Sequence, residues 1–372
     1  MAGWLRTMAA AGFFLLLAPA AWSGELRVGF VNPTGPPEFW NLVDATMQAA
    51  AAELDIKLEV RHTERSRERA VAAANELVSM KPPLDFLIGT NDVEAGGDII
   101  KIAEAAHVKL ILLSNDLDRK DWPAYGEPRT KYRSWLGSIT PDHEGGGYGI
   151  AEAVLTAAAK VKTDRPLKLL ALNGDEQTPA SLERLNGLKR AVGVMTKLLG
   201  PNSVELVGVR WLDWTAPTAE AATRDFMKDG PRIDALWAAN DPMAIGGLQA
   251  LRAAYTPGKD VLVGGLNWSQ PAVDLMLKGE MVVSHGGHFL GGAWAMVVLR
   301  DYADGRDFAE EDVRLQFPMG AFDLPLAQRF PEIGKVDWRQ VDFTRYSKTR
   351  HPELKRYDFS PESVLAQVPP SR

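Results

Sequence analysis

Leu26–Trp40 reads LRVGFVNPTGPPEFW, an apolar strand running straight into a turn. Leu26, Val28, Phe30 and Val31 make a short hydrophobic run of the kind found in a parallel sheet covered on both faces. Asn32-Pro33-Thr34-Gly35-Pro36-Pro37 can extend neither strand nor helix, because proline fixes φ and removes an amide donor. Phe39 and Trp40 then stand at the mouth of a helix expected over 38–54. In an open α/β sheet the space beyond the carboxyl end of a strand is where ligands bind. Two aromatics delivered there serve either as a stacking wall or as core residues of that helix.

The same strand–turn–helix unit recurs down the chain. Strands are expected at 56–60, 84–88, 108–113 and 135–139, with helices over 67–80 and 99–106 between them. The strand ends carry polar residues: Thr90-Asn91-Asp92 after the third and Ser114-Asn115-Asp116 after the fourth. The polar insertion 117–132, with Trp122 and Tyr125, is longer than an ordinary connection and reads as functional or as a lid. The pattern restarts at LKLLAL, 167–172. Helices are expected over 181–199, 216–227 and 243–254, and strands at 204–209, 233–238 and 261–265. A long apolar helix, 289–302, follows, and 313–321 reads as a late strand. Two successive α/β halves with polar strand ends can face one another across a cleft. The polar carboxyl extension, 324–372, is expected to wrap the domains in part, its last dozen residues loose.

Composition limits the functions available. The 372 residues suit two domains. With 48 acidic against 42 basic residues the net charge is -6, and the pI is about 5.6, so no basic field recommends a nucleic-acid or anionic-membrane partner. Cysteine is absent, which excludes disulfides and thiol chemistry. Residues 1–23 combine a charged start, the apolar run FFLLLAPAA and small residues at Ala21 and Ser23. They read as a signal peptide cleaved after Ser23, directing the chain to the periplasm.

The ordered segments VGFVNPTGPPEFW, DFLIGTNDVEAG, LALNGDEQTPASLERLNGLKRA, WAANDPMAIGGLQAL and VGGLNWSQPAVDLMLKGEMV resemble the periplasmic sugar-binding proteins of ribose-binding type. The likeness runs from residue 26 to about 305. It implies the type I periplasmic binding fold, two doubly wound parallel-sheet lobes joined by a hinge, closing on a ligand without catalysis. It further implies crossings near 135–145, 265–270 and 305–320, giving a first lobe of 24–140 plus 269–310 and a second of 141–268 plus 311–323. The partner would be an ABC permease of the inner membrane, the alternative being a histidine kinase or chemoreceptor; the protein itself is expected to be a monomer.

The resemblance assigns ligand contact to Phe39 and Trp40, to Asn91 and Asp92, and to Asn115 at the end of the fourth strand. It also assigns Arg184, Asn240, Asp241, Asn267 with Trp268, and His285. Several have ordinary alternatives. Asp241 can cap the helix that follows it, as can Asn91 and Asp92 theirs; Arg184 can be a solvated surface residue; Trp268 can pack between lobes. Asn115 and Asn267 stand where sugar binders often carry aspartate. Losing those acceptors points to a ligand less hydroxyl-rich than ribose: a modified sugar, a cyclic diol or furanone, or a more apolar solute. The insertion and the carboxyl extension also resemble the larger autoinducer receptors. His285 and His288 lack neighbouring carboxylates, and no H-E-x-x-H, P-loop or G-x-S-x-G is present, so neither a metal nor a cofactor is expected. A sugar-processing enzyme using Asp92 and Asp241 as opposed carboxylates is the remaining catalytic alternative.

Overall fold

A computed structural model describes residues 24–34, 39–162 and 165–369. The proposed signal peptide and its cleavage point lie outside them. The first five strands are β1 Leu26–Asn32, β2 Ile56–His62, β3 Phe86–Gly89, β4 Lys109–Leu113 and β5 Trp135–Pro141. The next five are β6 Leu167–Asn173, β7 Val204–Trp211, β8 Ala235–Ala238, β9 Leu262–Leu266 and β10 Val283–Gly286. The expected late strand is in fact two, β11 Arg314–Phe317 and β12 Gly320–Phe322.

These strands form two six-stranded sheets, ordered β11-β5-β4-β3-β1-β2 and β12-β10-β9-β8-β6-β7. Every described pairing is parallel except β10 with β12. The two α/β lobes expected from the sequence are therefore present. Strand β1 shows why: Val28 and Phe30 enter one hydrophobic cluster and Val31 the other, so the sheet is covered on both faces. Strands β2 and β7 lie at sheet edges, half-exposed, and carry Lys57, Glu59, Arg61, Glu205 and Arg210. Charges there discourage pairing with another chain.

The helices between strands in the first half are α1 Phe39–Glu53, α2 Arg67–Val78, α3 Gly96–Ala106 and the short α4 Trp122–Tyr125. The second half holds α5 His143–Val161, α6 Pro179–Leu199, α7 Ala216–Asp229, α8 Asp241–Leu251 and α9 Gln270–Leu277. After β10 come α10 Gly291–Ala303, α11 Leu324–Arg329 and α12 Pro361–Leu365.

The chain passes between the sheets after β5, after β10 and between β11 and β12. The return expected near 265–270 falls instead at 286–291. Segment 269–310, expected whole in the first lobe, is divided: β10 pairs with β9 in the second sheet, while α10 packs on α1. The reason is local, since β9–α9–β10 is itself a βαβ unit, and its second strand must lie beside its first. Segment 311–323 is divided likewise, with β11 in the first sheet.

The carboxyl extension is an ordered strap. Gln270 donates to the Pro331 carbonyl at 2.7 Å and accepts from the Gly334 amide at 3.0 Å, fixing it to the second lobe. On the first-lobe side Trp294 of α10 is ringed by Phe343, Tyr346 and Phe359 at centroid distances of 6.1, 4.8 and 4.6 Å. Such pairs contribute about 0.5–1.5 kcal/mol each beyond the area they bury. The tail expected to be loose includes α12, with Val364 and Leu365 buried; its apolar residues reach a core that proximity in sequence does not reveal.

Candidate functional site

The carboxyl ends of both sheets face a common cavity of about 80 Å³. From the first lobe α1 brings Phe39 and Trp40, the turn after β2 brings Arg65, the turn after β3 brings Asp92, and Ser114 and Asn115 follow β4. The second lobe supplies Thr178, Ala180 and Arg184 around the start of α6, Trp214 after β7, Asn240 after β8 and Asn267 after β9. His143 and His288 stand where the chain crosses between lobes.

Backbone strain collects here. Arg65, Ser114, Trp214 and Asn267 all have positive φ, at 53, 66, 71 and 148°. Side chains in such conformations cost about 1–3 kcal/mol each and persist where the surroundings hold them.

The lobes touch across the cavity. Asn115 Oδ1 accepts from the Ala180 amide at 3.2 Å. Arg65 grips Asp92 of its own lobe through Nε and Nη2 at 3.1 and 2.9 Å and reaches Asp175 of the other at 3.3 Å. His143 Nε2 lies 2.9 Å from the Ser114 carbonyl. A carbonyl only accepts, so Nε2 carries the proton and Nδ1 is left as an acceptor. It faces Arg184 Nη2 at 3.3 Å. Burial and the Arg184 charge push the His143 imidazole down to about 3, and burial holds His288 well below its ordinary value.

Arg184 is the centre of this arrangement. It is 4% exposed and donates through Nη1 to the Ala239 carbonyl at 2.8 Å. Its guanidinium lies 5.7 Å from the Trp214 ring, while Nε has no hydrogen-bond partner among the described residues. Burial lowers it to about 9. The sequence places it through two glycines: a Cβ on Gly147 would lie 2.0 Å from the Arg184 carbonyl, and one on Gly187 2.0 Å from that of Glu144. Without them α5 and α6 could not approach. Trp214 is seated similarly, since a Cβ on Gly174 would be 2.0 Å from its ring. Its indole N–H donates to Asp175 at 2.6 Å. Burial alone would raise Asp175, but bonds from Trp214 and Thr178 and the Arg65 charge hold it below its ordinary value. In Asp92 burial outweighs Arg65 and raises the carboxyl.

Of the residues singled out from sequence, Phe39, Trp40, Asp92, Asn115, Arg184, Asn240 and Asn267 line the cavity. Phe39 stacks on His288 at 4.4 Å. Trp40 is buried and also packs toward Phe30. The pair thus lines the cavity while Trp40 also belongs to the core. Asn240 has its amide committed, capping α8 through the Met243 amide and donating to the Trp214 carbonyl.

Four residues stand away from the cavity lining. Asn91 braces the turn after β3, bonded to the Asp116 carbonyl and the Gly96 amide. Asp241 is fully buried, accepting from the Ser269 amide and from Ser284 Oγ; burial raises it to about 6. It ties α8 to β10 and is not among the residues lining the cavity to which Asp92 belongs. Trp268, just past the carboxyl end of β9, packs against Phe322 and Phe289, its N–H on the Gly320 carbonyl. His285 packs against α5 at Gly149, and burial lowers it to about 4. The helix caps and interior packing of these residues follow the same sequence signals as ligand contact, so only the fold separates the two.

Arg65, His143, Trp214 and His288 escaped the sequence reading as ligand candidates. Arg65 lies in a charged run, 64–69, that reads as a solvated helix start, and Trp214 follows a half-exposed edge strand. Beside the cavity a broader hollow of about 1000 Å³ is lined by Leu117, Asp118 and Trp122 of the insertion. The insertion is pinned to the first lobe: Arg314 lies 4.3 Å over Trp122, and Arg129 holds Asp307 through two bonds of 2.6 and 2.9 Å. Among the described residues no group of three or more His, Asp or Glu side chains is arranged to hold a metal.

Residues 28–307 match the family described as periplasmic binding protein domain. A solved periplasmic sugar-binding protein from Pseudomonas fluorescens is similar at 28% identity, with a TM-score of 0.80, over 91% of this chain and 99% of that one. The galactofuranose-binding protein of Escherichia coli is 24% identical over 74% of this chain and 82% of its own length. A ribose import binding protein of Haemophilus influenzae is 23% identical over 68% and 77%.

Proposed function

This chain belongs to the periplasmic binding protein family, and we propose that it is the receptor of an ABC importer for a small, oxygenated, sugar-like solute. The proposal extends to export by residues 1–23 and to kinship with the ribose- and galactofuranose-binding members. The observation that carries it is a cavity fed by both lobes and by two of the crossings, with polar groups between aromatic faces. Phe39, Trp40 and Trp214 offer apolar faces to C–H surfaces of a ring. Asp92, Asn115, Arg184 and Asn267 offer hydrogen bonds. Each lobe alone holds half a site, so a ligand bridging them favours closure by whatever it gains in the second half. Closure then presents the permease with a surface that the open form lacks.

The lobes of this reading follow the sheets: 24–141 with 287–317, and 142–286 with 318–335, the remainder strapping both. Ligand bound only by the folded, closed form raises the melting temperature by mass action. A thermal-shift screen of the purified protein against pentoses, hexoses, furanoses, cyclitols and sugar acids tests the reading. A saturable rise with one class, and recovery of that compound unaltered, supports a receptor; conversion of the compound would make it an enzyme.

A further inference from the structure

The charges lining the cavity do not balance. Arg65, Asp92 and Arg184 are the charged residues of the lining. Arg65 and Asp92 neutralise one another through two hydrogen bonds. Asp175, at the rim, is held by Arg65, by Trp214 and by Thr178. Arg184 has no carboxylate within ion-pair distance among the described residues; the ion pairs of the cleft are those of Arg65. Its other neighbours, His143 Nδ1 and His288 Nε2, belong to imidazoles that burial keeps neutral. The Glu183 carboxylate, next in the chain, acts on it through space but forms no ion pair with it. A buried guanidinium without a directly bonded carboxylate is expensive unless something brings the opposite charge into contact.

The hydrogen-bond inventory leans the same way. Asn115 spends its acceptor oxygen on the Ala180 amide, and Asn240 spends both ends of its amide on protein. The carboxylate oxygens of Asp92 are engaged by Arg65. What remains for a ligand is the guanidinium of Arg184 and the side-chain amide N–H groups of Asn115 and Asn267 as donors, against the Asn267 amide oxygen and the remaining lone pairs of Asp92 as acceptors. The one directly unpaired charge is on the donor side. A neutral polyol presents donors and acceptors in equal measure and would leave its hydroxyl protons poorly served. A carboxylate presents acceptors alone and carries the missing charge.

We propose that the ligand of this cleft is a hydroxylated carboxylate monoanion, an aldonate or uronate, whose carboxylate is received at Arg184 while its carbon skeleton lies between Phe39 and Trp214. This rests on the receptor reading above and narrows its ligand class.

Isothermal titration of the purified protein compares D-galacturonate with D-galactose, and D-gluconate with D-glucose. The acid of at least one pair should bind about tenfold or more tighter than its neutral partner. Arg184→Lys, which keeps the charge but loses the planar fork, should weaken the acid partly, and Arg184→Gln should abolish the preference. Asn115→Asp, which adds a negative charge to the lining without removing Arg184, should weaken the acid more than the neutral sugar, and covers the case in which Arg184→Gln does not fold. Tighter binding of the neutral member in both pairs overturns the anionic assignment and leaves the receptor reading standing. An acid preference that survives Arg184→Gln in a folded protein also overturns it. No binding by any of the four, nor by the pentoses, furanoses and cyclitols of the wider screen, overturns both.

Discussion

The Arg65 guanidinium of the first lobe lies 3.3 Å from the Asp175 carboxylate of the second while holding Asp92 at 2.9 Å. One side chain thus both completes a buried pair within its lobe and latches the lobes together. The two jobs differ in weight. Asp92 is 5% exposed and loses its counter-charge if Arg65 goes. Arg65 and Asp175 are each about a quarter exposed at the side chain, so their pair is partly screened by water.

Asp175→Asn should therefore shift the open–closed balance modestly, by about 1 kcal/mol or less. Small-angle scattering should show a slightly larger radius of gyration, with little change in melting temperature. Arg65→Gln should instead cost about 3 kcal/mol of stability by stranding Asp92. Equal stability losses in the two variants would show that Arg65 has no double role.

His143 makes acid sensitivity readable. Its folded value, about 3, lies below its ordinary 6.5, so the unfolded chain binds the proton more readily. Its contribution to stability is full above pH 6.5 and is lost as pH falls toward 3, at up to about 1.4 kcal/mol per pH unit. In urea titrations the difference between wild type and His143→Gln should shrink from pH 7 to pH 4. A difference independent of pH would mean the imidazole is not held neutral.

Asp241 should behave in the opposite sense. Its folded value, about 6, is raised above the ordinary 3.8, so its stabilising contribution is present below pH 3.8 and lost as pH rises through 6. Wild type should gain on Asp241→Asn as pH falls from 7 to 4. Asp241→Ala should lower stability by about 1–3 kcal/mol, because the Ser269 amide and Ser284 hydroxyl lose their acceptor. It should act on ligand affinity far less than Arg184→Gln does.

Gly147→Val tests the placement of Arg184. The new side chain would run into the Arg184 carbonyl, which lies 2.0 Å from where its Cβ would stand, and drive α6 from α5. Ligand affinity and melting temperature should both fall, the latter by the equivalent of about 1–3 kcal/mol. Gly193 of α6 is exposed, and a Cβ there meets nothing within 4 Å, so it supplies the control: Gly193→Val should be close to neutral in both measurements.

Asp301 anchors the strap. It is fully buried and accepts from Ser347, from the amides of Lys348 and Thr349, from the Thr349 hydroxyl and from Tyr357. Asp301→Ala should leave several of these donors unsatisfied, costing about 3 kcal/mol or more, and should expose the segment after Phe343 to limited proteolysis. Unchanged cleavage would assign the strap to its aromatic contacts with Trp294.

Local chemistry decided much of this protein before any folding is considered. Apolar runs punctuated by proline and glycine specify the alternating strands and helices, and their number specifies two parallel sheets with polar strand ends, because each such unit has few ways to bury its faces. Phe39, Asp92, Asn115 and Asn267 come after strands, and strand ends converge, so their place in the lining was legible for that reason; Arg184, inside α6, was reached only through the family resemblance. Tertiary structure alone decided what each polar residue faces. Asp241 and Asp92 both lie between a strand and the body of the next helix, yet one turns inward to Ser284 and the other toward the cavity. Arg65 and Trp214 enter the site from segments that look solvated in isolation. The crossing at 286–291 and the burial of the carboxyl strap depend on partners tens or hundreds of residues away, and a hydrogen bond or an ion pair between such residues leaves no periodicity in the chain from which to read it.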